Sequence, residues 1–394
     1  MGGSLLAFLV FYFVVERFRI IKTVRSIPLR ICVTGTRGKS SVARLIAACL
    51  REAGFTVLAR TTGSKPVIIF PDGKEREILR RGSPSILEGK KLLKFGAELK
   101  VDALVSELMS IHPECSFVES VQMYNPHILV ITNVRLDHLA QMGSTRQDIA
   151  RCFACSFPEN GTVFVPQEEF YPVFEKSAQG MNTRIVRVDG DSLQEYSRSV
   201  AERLPNEFEE NIRLVLALAE FLKIDTEIVF QGLKKAQPDF GSFKMWTMDV
   251  GVPPRRLILV NSFAANDPES TRRILSRLMK KDFLKGKNGV GLLNLRRDRG
   301  DRTIQWLKSL GENTFPEFRK IFLIGEHASA FKKKLKGLVD MESFILKSMT
   351  PKGILEEISE TVKAEVVLFG MGNMGGAGRE LVEYWEDRGE PYDF

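Results

Sequence analysis

The sequence has 394 residues, of which 44% are hydrophobic and 27% are charged. This length is too great for one ordinary domain and the composition excludes a disordered chain, so two or three globular domains are expected. The formal net charge of +8 is compatible with plain solubility, with an anionic substrate or with anionic lipid. No zinc-finger spacing, aromatic RNA-binding run or long basic tract occurs in the sequence, so no nucleic-acid partner is predicted.

Residues 1–25 differ in kind from the rest of the chain. Residues 4–15 form an unbroken apolar run, which ends at Glu16 and Arg17 and is followed by Arg19, Lys22 and Arg25. The run is shorter than the ~18 residues of a usual span, but residues 1–21 suffice if the flanking side chains reach the interface. The positive-inside rule then predicts a single membrane anchor, with the N-terminus outside and the globular domains in the cytoplasm. The alternative is a helix packed on a partner or on the core.

A short strand, a glycine-rich turn and a helix follow in that order. Residues 29–33 form an apolar run that predicts a buried strand, and residues 34–40 read TGTRGKS. From Ser41 onward apolar residues recur at spacings of three and four, which predicts a helix that ends at Gly54. Residues 55–59 predict the next strand. This order is typical of a parallel α/β domain.

The turn has the chemistry of a phosphate-binding loop. Gly35 and Gly38 allow backbone N–H groups to surround a phosphate, and the helix N-terminus adds its dipole. Lys39 reaches the β- and γ-phosphates, and the hydroxyl of Ser40 suits Mg²⁺. Position 33 is Val33 rather than the glycine of a full Walker A motif, so a shorter G-T-x-G-K-S form is matched. The predicted nucleotide contacts here are Gly35, Thr36, Arg37, Gly38, Lys39, Ser40 and Ser41.

Two further strands end in polar residues. The apolar run at residues 101–106 precedes Glu107, and the run at residues 127–134 precedes Asp137 and His138. Because ligands bind at the carboxyl ends of parallel strands, Glu107 and His138 are expected on the same edge as Lys39. A carboxylate and an imidazole beside a phosphate fit Mg²⁺ ligands. The alternatives are an acidic helix N-terminus at Glu107 and an ordinary loop pair at Asp137 and His138.

A second α/β domain is predicted in the C-terminal part of the chain. Glycines and prolines loosen the pattern at residues 241–254, which predicts a linker. Buried strands are expected at residues 257–260, 290–294, 321–324 and 366–369, with helices between them. The predicted domains are therefore an N-terminal hydrophobic helix at 1–25, an ATP-binding domain with a parallel sheet at 26–245, and an α/β domain at 246–394.

Two loops of the second domain have unusual compositions. Four arginines and two aspartates lie within residues 296–302, and residues 370–376 read GMGNMGG. Arginine binds carboxylate and phosphate in fork geometry, and glycines permit close backbone approach to a ligand. The first loop is predicted to face an anionic cleft and the second to form a wall of it. A solvated surface loop is the alternative for the arginine-rich segment.

In order and spacing, these motifs resemble those of the Mur ligase family. The phosphate loop, the strand-end Glu107 and the pattern N-x-x-x-D-H-x-x-x-x-G from Asn133 to Gly143 all match it. Asn211 resembles the family's adenine-contacting asparagine, and residues 261–268 resemble the motif that opens its C-terminal domain. The poly-γ-glutamate branch of the family is most similar, in the runs TGTRGKSS (34–41), RTTG (60–63), SEL (106–108), FAAND (263–267), DRGDRT (298–303) and GMGNMGG (370–376).

The chain departs from other Mur ligases at two places. Asn261 and Ala265 stand where an aspartate and a histidine are usual, which removes a carboxylate expected near the ribose. Residues 139–175 contain no lysine, so no carbamylated lysine is expected on the metal. The resemblance thus implies a metal set of Ser40, Glu107 and His138.

The resemblance implies a two-step, ATP- and Mg²⁺-dependent amide synthesis that polymerises glutamate. Lys39, Glu107 and His138 are the implied catalytic residues, and Asn211, Asn266, Arg297 and Arg299 complete the ATP contacts. The implied partners are glutamate, growing poly-γ-glutamate and membrane subunits of a synthesis and export complex, with a homo-oligomer as a further possibility. The alternatives are a folylpolyglutamate- or cyanophycin-type ligase and a membrane-bound P-loop ATPase that switches a partner.

Overall fold

The computed structural model describes residues 2–80, 82–204, 207–362 and 365–392. The chain divides into two compact units, Met1–Asp239 and Phe240–Phe394. The sequence predicted the boundary at residues 245/246, a few residues further along the chain. Each unit is described by itself below.

The N-terminal helix, α1 (Gly2–Arg25), is exposed over residues 6–14 and packs on the rest of its unit towards its C-terminal end. Near its end Val24 is buried, and Glu16 forms an ion pair with Lys90 at 2.6 Å. The exposed large hydrophobic side chains of its earlier part are Leu6, Phe8, Leu9, Val10, Phe11, Tyr12, Phe13, Val14 and Phe18. Within the described residues, no helix combines the length and apolar character needed to cross a bilayer. The predicted helix is present, but the predicted membrane span is not supported.

The first unit is built on an eight-stranded sheet with the order β4-β3-β2-β5-β1-β6-β7-β8. Its strands are β1 (Leu29–Thr34), β2 (Val57–Thr61), β3 (Val67–Ile69), β4 (Glu75–Glu77), β5 (Ala103–Glu107), β6 (Ile128–Ile131), β7 (Thr162–Pro166) and β8 (Arg184–Val188). All neighbours from β2 to β8 pair in parallel, and β3 and β4 add an antiparallel edge. The central strands are apolar runs because helices cover both faces of a parallel sheet. The predicted α/β class with a parallel sheet is confirmed.

Helices cover both faces of this sheet. They are α2 (Lys39–Glu52), α3 (Glu88–Glu98), α4 (Pro113–Phe117), a π-helix (Val118–Tyr124), α5 (Leu139–Met142), α6 (Arg146–Ala154), a 3₁₀ turn (Gln167–Glu169), α7 (Pro172–Met181), α8 (Gly190–Arg203), α9 (Glu209–Phe221) and α10 (Thr226–Lys235). One core cluster includes side chains of α2, α9 and α10 and the sheet. A second core cluster contains buried apolar side chains of the sheet that are not in the first cluster, together with residues of α3, α6 and α7.

The second unit contains a seven-stranded sheet with the order β13-β12-β11-β14-β10-β9-β15. Its elements are β9 (Lys244–Val250), β10 (Arg255–Asn261), a 3₁₀ turn (Phe263–Ala265), α11 (Pro268–Lys280), β11 (Asn288–Asn294), α12 (Gly300–Gly311), β12 (Phe318–Ile324), α13 (Ala328–Leu335), β13 (Glu342–Ile345), α14 (Pro351–Thr361), β14 (Val366–Gly372), α15 (Ala377–Arg388) and β15 (Glu390–Pro391). The five strands from β13 to β10 are parallel, and β9 and β15 are antiparallel additions.

The predicted linker at residues 241–254 is wrong for most of its length, because β9 occupies residues 244–250 and pairs with β10. Met245 and Trp246 of this strand are buried in the second unit, and Gly251 begins the tight turn to β10 with φ +84°. Gly251, Pro253 and Pro254, which suggested a linker, therefore form a hairpin turn, and Gly241 lies before β9.

Close packing of α10 on α2 makes Gly232 sensitive to substitution. A Cβ at Gly232 would lie 2.6 Å from Cα of Cys49 and 3.1 Å from the carbonyl oxygen of Ala48. We expect Gly232→Ala to lower the free energy of unfolding by about 1–3 kcal/mol, because two helix backbones must separate. Gly180→Ala in α7 is the matched control, since open space surrounds that glycine. Equal urea midpoints for the two variants would contradict this packing.

Candidate active site

The site of the first unit is the loop between β1 and α2. Gly35 has φ +126° and Gly38 has φ +80°, values that favour glycine. A Cβ at Gly35 would lie 2.1 Å from Oγ1 of Thr132, so the loop lies directly against the end of β6. The loop therefore requires glycine at this position both for its backbone conformation and for the approach of the neighbouring strand.

Residues after β6 fix the shape of this loop. The side-chain amide of Asn133 accepts from the N–H of Arg37 and donates to its carbonyl oxygen, both at 3.0 Å. Thr132 donates to the same carbonyl at 2.6 Å. The hydroxyl of Thr36 accepts from the N–H of Arg135 at 3.0 Å. Asn133 belongs to the motif that runs to Gly143, whereas no sequence pattern marks Thr132.

Lys39 folds back over the loop that precedes it. Its Nζ donates to the carbonyl oxygens of Gly35 at 2.9 Å and Thr36 at 3.3 Å. Burial lowers the pKa of Lys39, whereas the nearby carboxylates of Glu107 and Asp137 favour its charged form. The amine is thus held at the mouth of the loop, and an anion there would stabilise its charge further.

Glu107, at the end of β5, contacts the residue that follows Lys39. Its Oε2 accepts from the hydroxyl of Ser40 and from the N–H of Thr62, both at 2.7 Å. Glu107 is only 3% exposed, although it is an ionisable residue at the end of β5. Two members of the predicted metal set, Ser40 and Glu107, are therefore in direct contact.

His138, the third predicted metal ligand, lies just before α5 on the β6 side of the loop. Its Nε2 is 3.7 Å from Oδ2 of Asp137, and that oxygen also accepts from Nη1 of Arg37 at 2.8 Å. His138 has φ +49°, an uncommon conformation that turns the chain here. Across the residues that the structure describes, no three His, Cys, Asp or Glu side chains form a group that could hold a metal ion.

Asn211 and Gly63 also lie against the loop and the start of α2, and Asp239 lies beside Gly63. Oδ1 of Asn211, near the start of α9, lies 2.6 Å from the position of a Cβ on Gly38. A Cβ on Gly63 would lie 2.7 Å from Oγ of Ser40 and 3.8 Å from Oδ2 of Asp239. Asn211 was predicted from its motif, but Asp239 was not. No local pattern marks Asp239, because the fold alone brings it to this place.

In the second unit, three conspicuous loops follow the adjacent strands β11, β14 and β10. Nδ2 of Asn294 donates to the carbonyl oxygen of Asn373 at 2.6 Å, and Nη1 of Arg302 donates to Oδ1 of Asn373 at 3.0 Å. Nη1 of Arg296 lies 1.8 Å from the position of a Cβ on Gly375, so the arginine-rich and glycine-rich loops are in close contact. Arg296 and Arg302 belong to the predicted arginine-rich loop and Asn373 to the glycine-rich one, but the sequence does not distinguish these three residues from their neighbours.

The three predicted nucleotide residues of this unit lie on the same loops. Arg297 is exposed, and its backbone N–H donates to Glu326 at 2.9 Å. Arg299 is partly buried just before α12. Asn266 has φ +62°, and its carbonyl oxygen accepts from Nε1 of Trp306 at 3.1 Å. Their roles in binding ATP remain predictions.

Comparison with known proteins identifies both units. Residues 33–229 match the Mur ligase middle domain, and residues 248–388 match the C-terminal domain of poly-γ-glutamate synthase CapB. Over 389 residues the chain is 31% identical to the capsule biosynthesis protein CapB of Bacillus anthracis, covering 97% of this chain and 81% of that protein. It is also 31% identical to the PGA synthase CapB of Bacillus subtilis (strain 168), covering 94% and 93%.

Solved structures share the fold at lower sequence identity. FolC of E. coli in complex with ADP superposes with a TM-score of 0.67 at 17% identity, covering 94% of this chain and 92% of that one. MurF of Acinetobacter baumannii gives a TM-score of 0.63 at 18% identity, covering 93% and 79%. The predicted Mur-ligase-like α/β architecture is thereby confirmed. The chain belongs to the CapB family of poly-γ-glutamate synthases within the Mur ligases, and it is an ATP-dependent ligase.

Proposed function

We propose that this ligase polymerises glutamate into poly-γ-glutamate, using ATP and releasing ADP and phosphate. The observation that carries the proposal is the loop at residues 35–38, which hydrogen bonds from Thr132 and Asn133 hold in shape. Lys39 donates to the carbonyl oxygen of Gly35 in this loop, and Ser40, which follows Lys39, donates to Glu107. The family to which the chain belongs supplies the substrate class. A folylpolyglutamate- or cyanophycin-type ligase remains the alternative within the Mur ligases.

In this proposal the loop binds the triphosphate. The backbone N–H groups of the loop and of the first turn of α2 donate to phosphate oxygens, and Lys39 exchanges its carbonyl partners for the β- and γ-phosphates. Asn211 lies against Gly38 and is suited to contact the base side of the nucleotide. An anion at this position would compensate the cost of partly burying the charge of Lys39.

The hydroxyl of Ser40 and the carboxylate of Glu107, which are in contact, would hold a Mg²⁺ ion. Mg²⁺ commonly takes one or two carboxylates together with substrate phosphates and waters. When bound, the ion neutralises charge on the transferring phosphoryl group. His138 is the proposed third ligand, held near the loop by the segment that follows β6.

The proposed chemistry needs no nucleophile from the protein. A carboxylate oxygen of glutamate attacks the γ-phosphorus, the bond to the β-phosphate oxygen breaks, and ADP leaves. An amine then attacks the acyl carbon, loses a proton and displaces inorganic phosphate, so one amide forms for each ATP. The chain contributes by positioning the reactants and by stabilising charge with Lys39.

Purified full-length protein with ATP, Mg²⁺ and glutamate tests the function. We expect ADP release together with oligomers that grow by one glutamate residue at a time in mass spectrometry. Lys39→Ala should abolish both signals, because the phosphates lose their main cation. A folate- or aspartate-based acceptor extended in place of glutamate would favour the other Mur-type ligases. ADP without any amide product, in the presence of membrane subunits, would favour a P-loop ATPase switch.

Glu107→Gln should raise the Mg²⁺ concentration for half-maximal rate by at least about tenfold, since even residues behind metal ligands change affinity by about 10–100-fold. The affinity for ADP without Mg²⁺ should change little. Glu114→Gln is the matched control, because Glu114 is an exposed acid nearby in sequence. A Mg²⁺ titration that is identical for wild type and Glu107→Gln would remove Glu107 from the proposed metal set.

We propose that the exposed part of α1 attaches the chain to the membrane, where membrane subunits receive the polymer. Phe8, Phe11 and Phe13 are exposed, and the exposed basic residues Arg17, Arg19, Lys22 and Arg25 follow them. This pattern suits an anionic lipid surface.

The full chain should float with vesicles rich in anionic lipid, and Phe8→Ser/Phe11→Ser should weaken flotation. Leu79→Ser removes an exposed apolar residue elsewhere; equal flotation of both variants would refute the attachment.

A further inference from the structure

A fully buried ion pair lies directly behind Glu107. Nη2 of Arg60, on β2, is 3.0 Å from Oε1 of Glu119, in the π-helix. The relative exposure of both residues is 0%. Arg60 lies in the RTTG run of the sequence, but nothing in the pattern indicates its partner or its task.

The pair holds the chain at Glu107 and directly after it. Nη2 of Arg60 also donates to the backbone carbonyl oxygen of Glu107 at 3.0 Å. Oε2 of Glu119 accepts from the N–H groups of Met109 and Ser110, both at 3.0 Å, and from the hydroxyl of Ser110 at 2.6 Å. The backbone of Glu107 is thus fixed from its own carbonyl to the residues two and three positions further on.

The side chain of Glu107 is fixed by different partners. It accepts from Ser40 at the start of α2 and from the N–H of Thr62, two residues after Arg60. Arg60 and Thr62 therefore bind the same glutamate, one through its main chain and the other through its carboxylate. A shift of Arg60 would move both the acid and one of its hydrogen-bond donors.

Stability alone does not account for this ion pair. The desolvation of two buried charges offsets their attraction, and well-packed apolar residues of similar size are often as stabilising. Nε and Nη1 of Arg60 are buried without hydrogen-bond partners among the described residues, which adds to this cost. Glu119 lies in a π-helix, a rare conformation that is frequent at functional sites.

We propose that Arg60 and Glu119 form a positioning pair that sets the divalent-ion affinity of the nucleotide site by orienting Glu107. The proposal rests on the proposed function, in which Glu107 binds the ion. The hydrogen bonds of Arg60 and Glu119 go to the backbone of Glu107 and to Met109 and Ser110, so the pair acts through Glu107 and not on the nucleotide. A pair that only supported the fold would alter unfolding and leave the ion dependence unchanged.

The central variant is Arg60→Met/Glu119→Leu, which removes both charges together and leaves no unpaired buried ion. We expect it to fold, and to raise the Mg²⁺ concentration for half-maximal rate by about 10–100-fold, as for other residues behind metal ligands. ADP affinity measured by calorimetry in EDTA should stay within about twofold of wild type. Mg²⁺-dependent tightening of ADP binding supplies a readout that needs no turnover. Glu119→Gln, which keeps size and shape, should shift the Mg²⁺ dependence in the same direction.

The matched control is Arg272→Met/Glu317→Leu, which removes an ion pair of the second unit. An unchanged Mg²⁺ dependence in a folded Arg60→Met/Glu119→Leu protein would overturn the proposal, as would an equal shift in the control. If the double variant does not fold, Glu119→Gln decides by the same criterion. Glu107→Gln distinguishes the failure of the positioning proposal from the failure of the proposed metal site. If Glu107→Gln leaves the Mg²⁺ dependence unchanged, Glu107 does not bind the ion, and the proposed role of Arg60 and Glu119 is refuted with it.

Discussion

The hydrogen bond between Ser40 and Glu107, at 2.7 Å, connects the features on which the site depends. It joins the start of α2, which follows the phosphate loop, to the end of β5, the neighbouring strand in the sheet. A buried carboxylate needs hydrogen-bond donors or cations around it, and Glu107 finds Ser40, Thr62 and the nearby amine of Lys39. In the proposed function, this hydroxyl and this carboxylate would hold the divalent ion.

Parallel strand order explains why these groups meet. β1 lies between β5 and β6, so the residues that follow all three strands converge at one edge of the sheet. From β6 come the amide of Asn133 and the hydroxyl of Thr132, which hold the loop in shape. The last residue of β5 is Glu107, whose carboxylate accepts from Ser40. The second unit repeats the arrangement with its own adjacent strands, where Arg302 and Asn294 both bind Asn373.

Sequence reasoning found the parts of the site that have a local signal. The glycines and Lys39 follow an apolar run, and Glu107 ends another, so strand periodicity and turn chemistry located them. Asp239, Thr132 and Glu119 have no such signal, because each becomes relevant only through contacts that the fold creates. Arg60 is an example of the difficulty: it lies within a buried strand, where an arginine gives no hint of the distant acid that pairs with it.

The errors in the fold have similar causes. Glycines and prolines near residue 251 indicated a linker, but they form the turn of a hairpin whose strands carry buried Met245 and Trp246. The apolar run of α1 correctly predicted a helix, yet apolar composition alone does not determine what covers it. Both cases depend on tertiary surroundings, which periodicity within a single segment does not report.

Anomalous diffraction from crystals grown with Mn²⁺ and a non-hydrolysable ATP analogue tests the central claim most directly. The account predicts one ion peak about 2.1 Å from Oγ of Ser40 and from a carboxylate oxygen of Glu107, with the phosphates enclosed by residues 35–39. A nucleotide bound elsewhere in the chain, or an ion peak remote from both side chains, would contradict it.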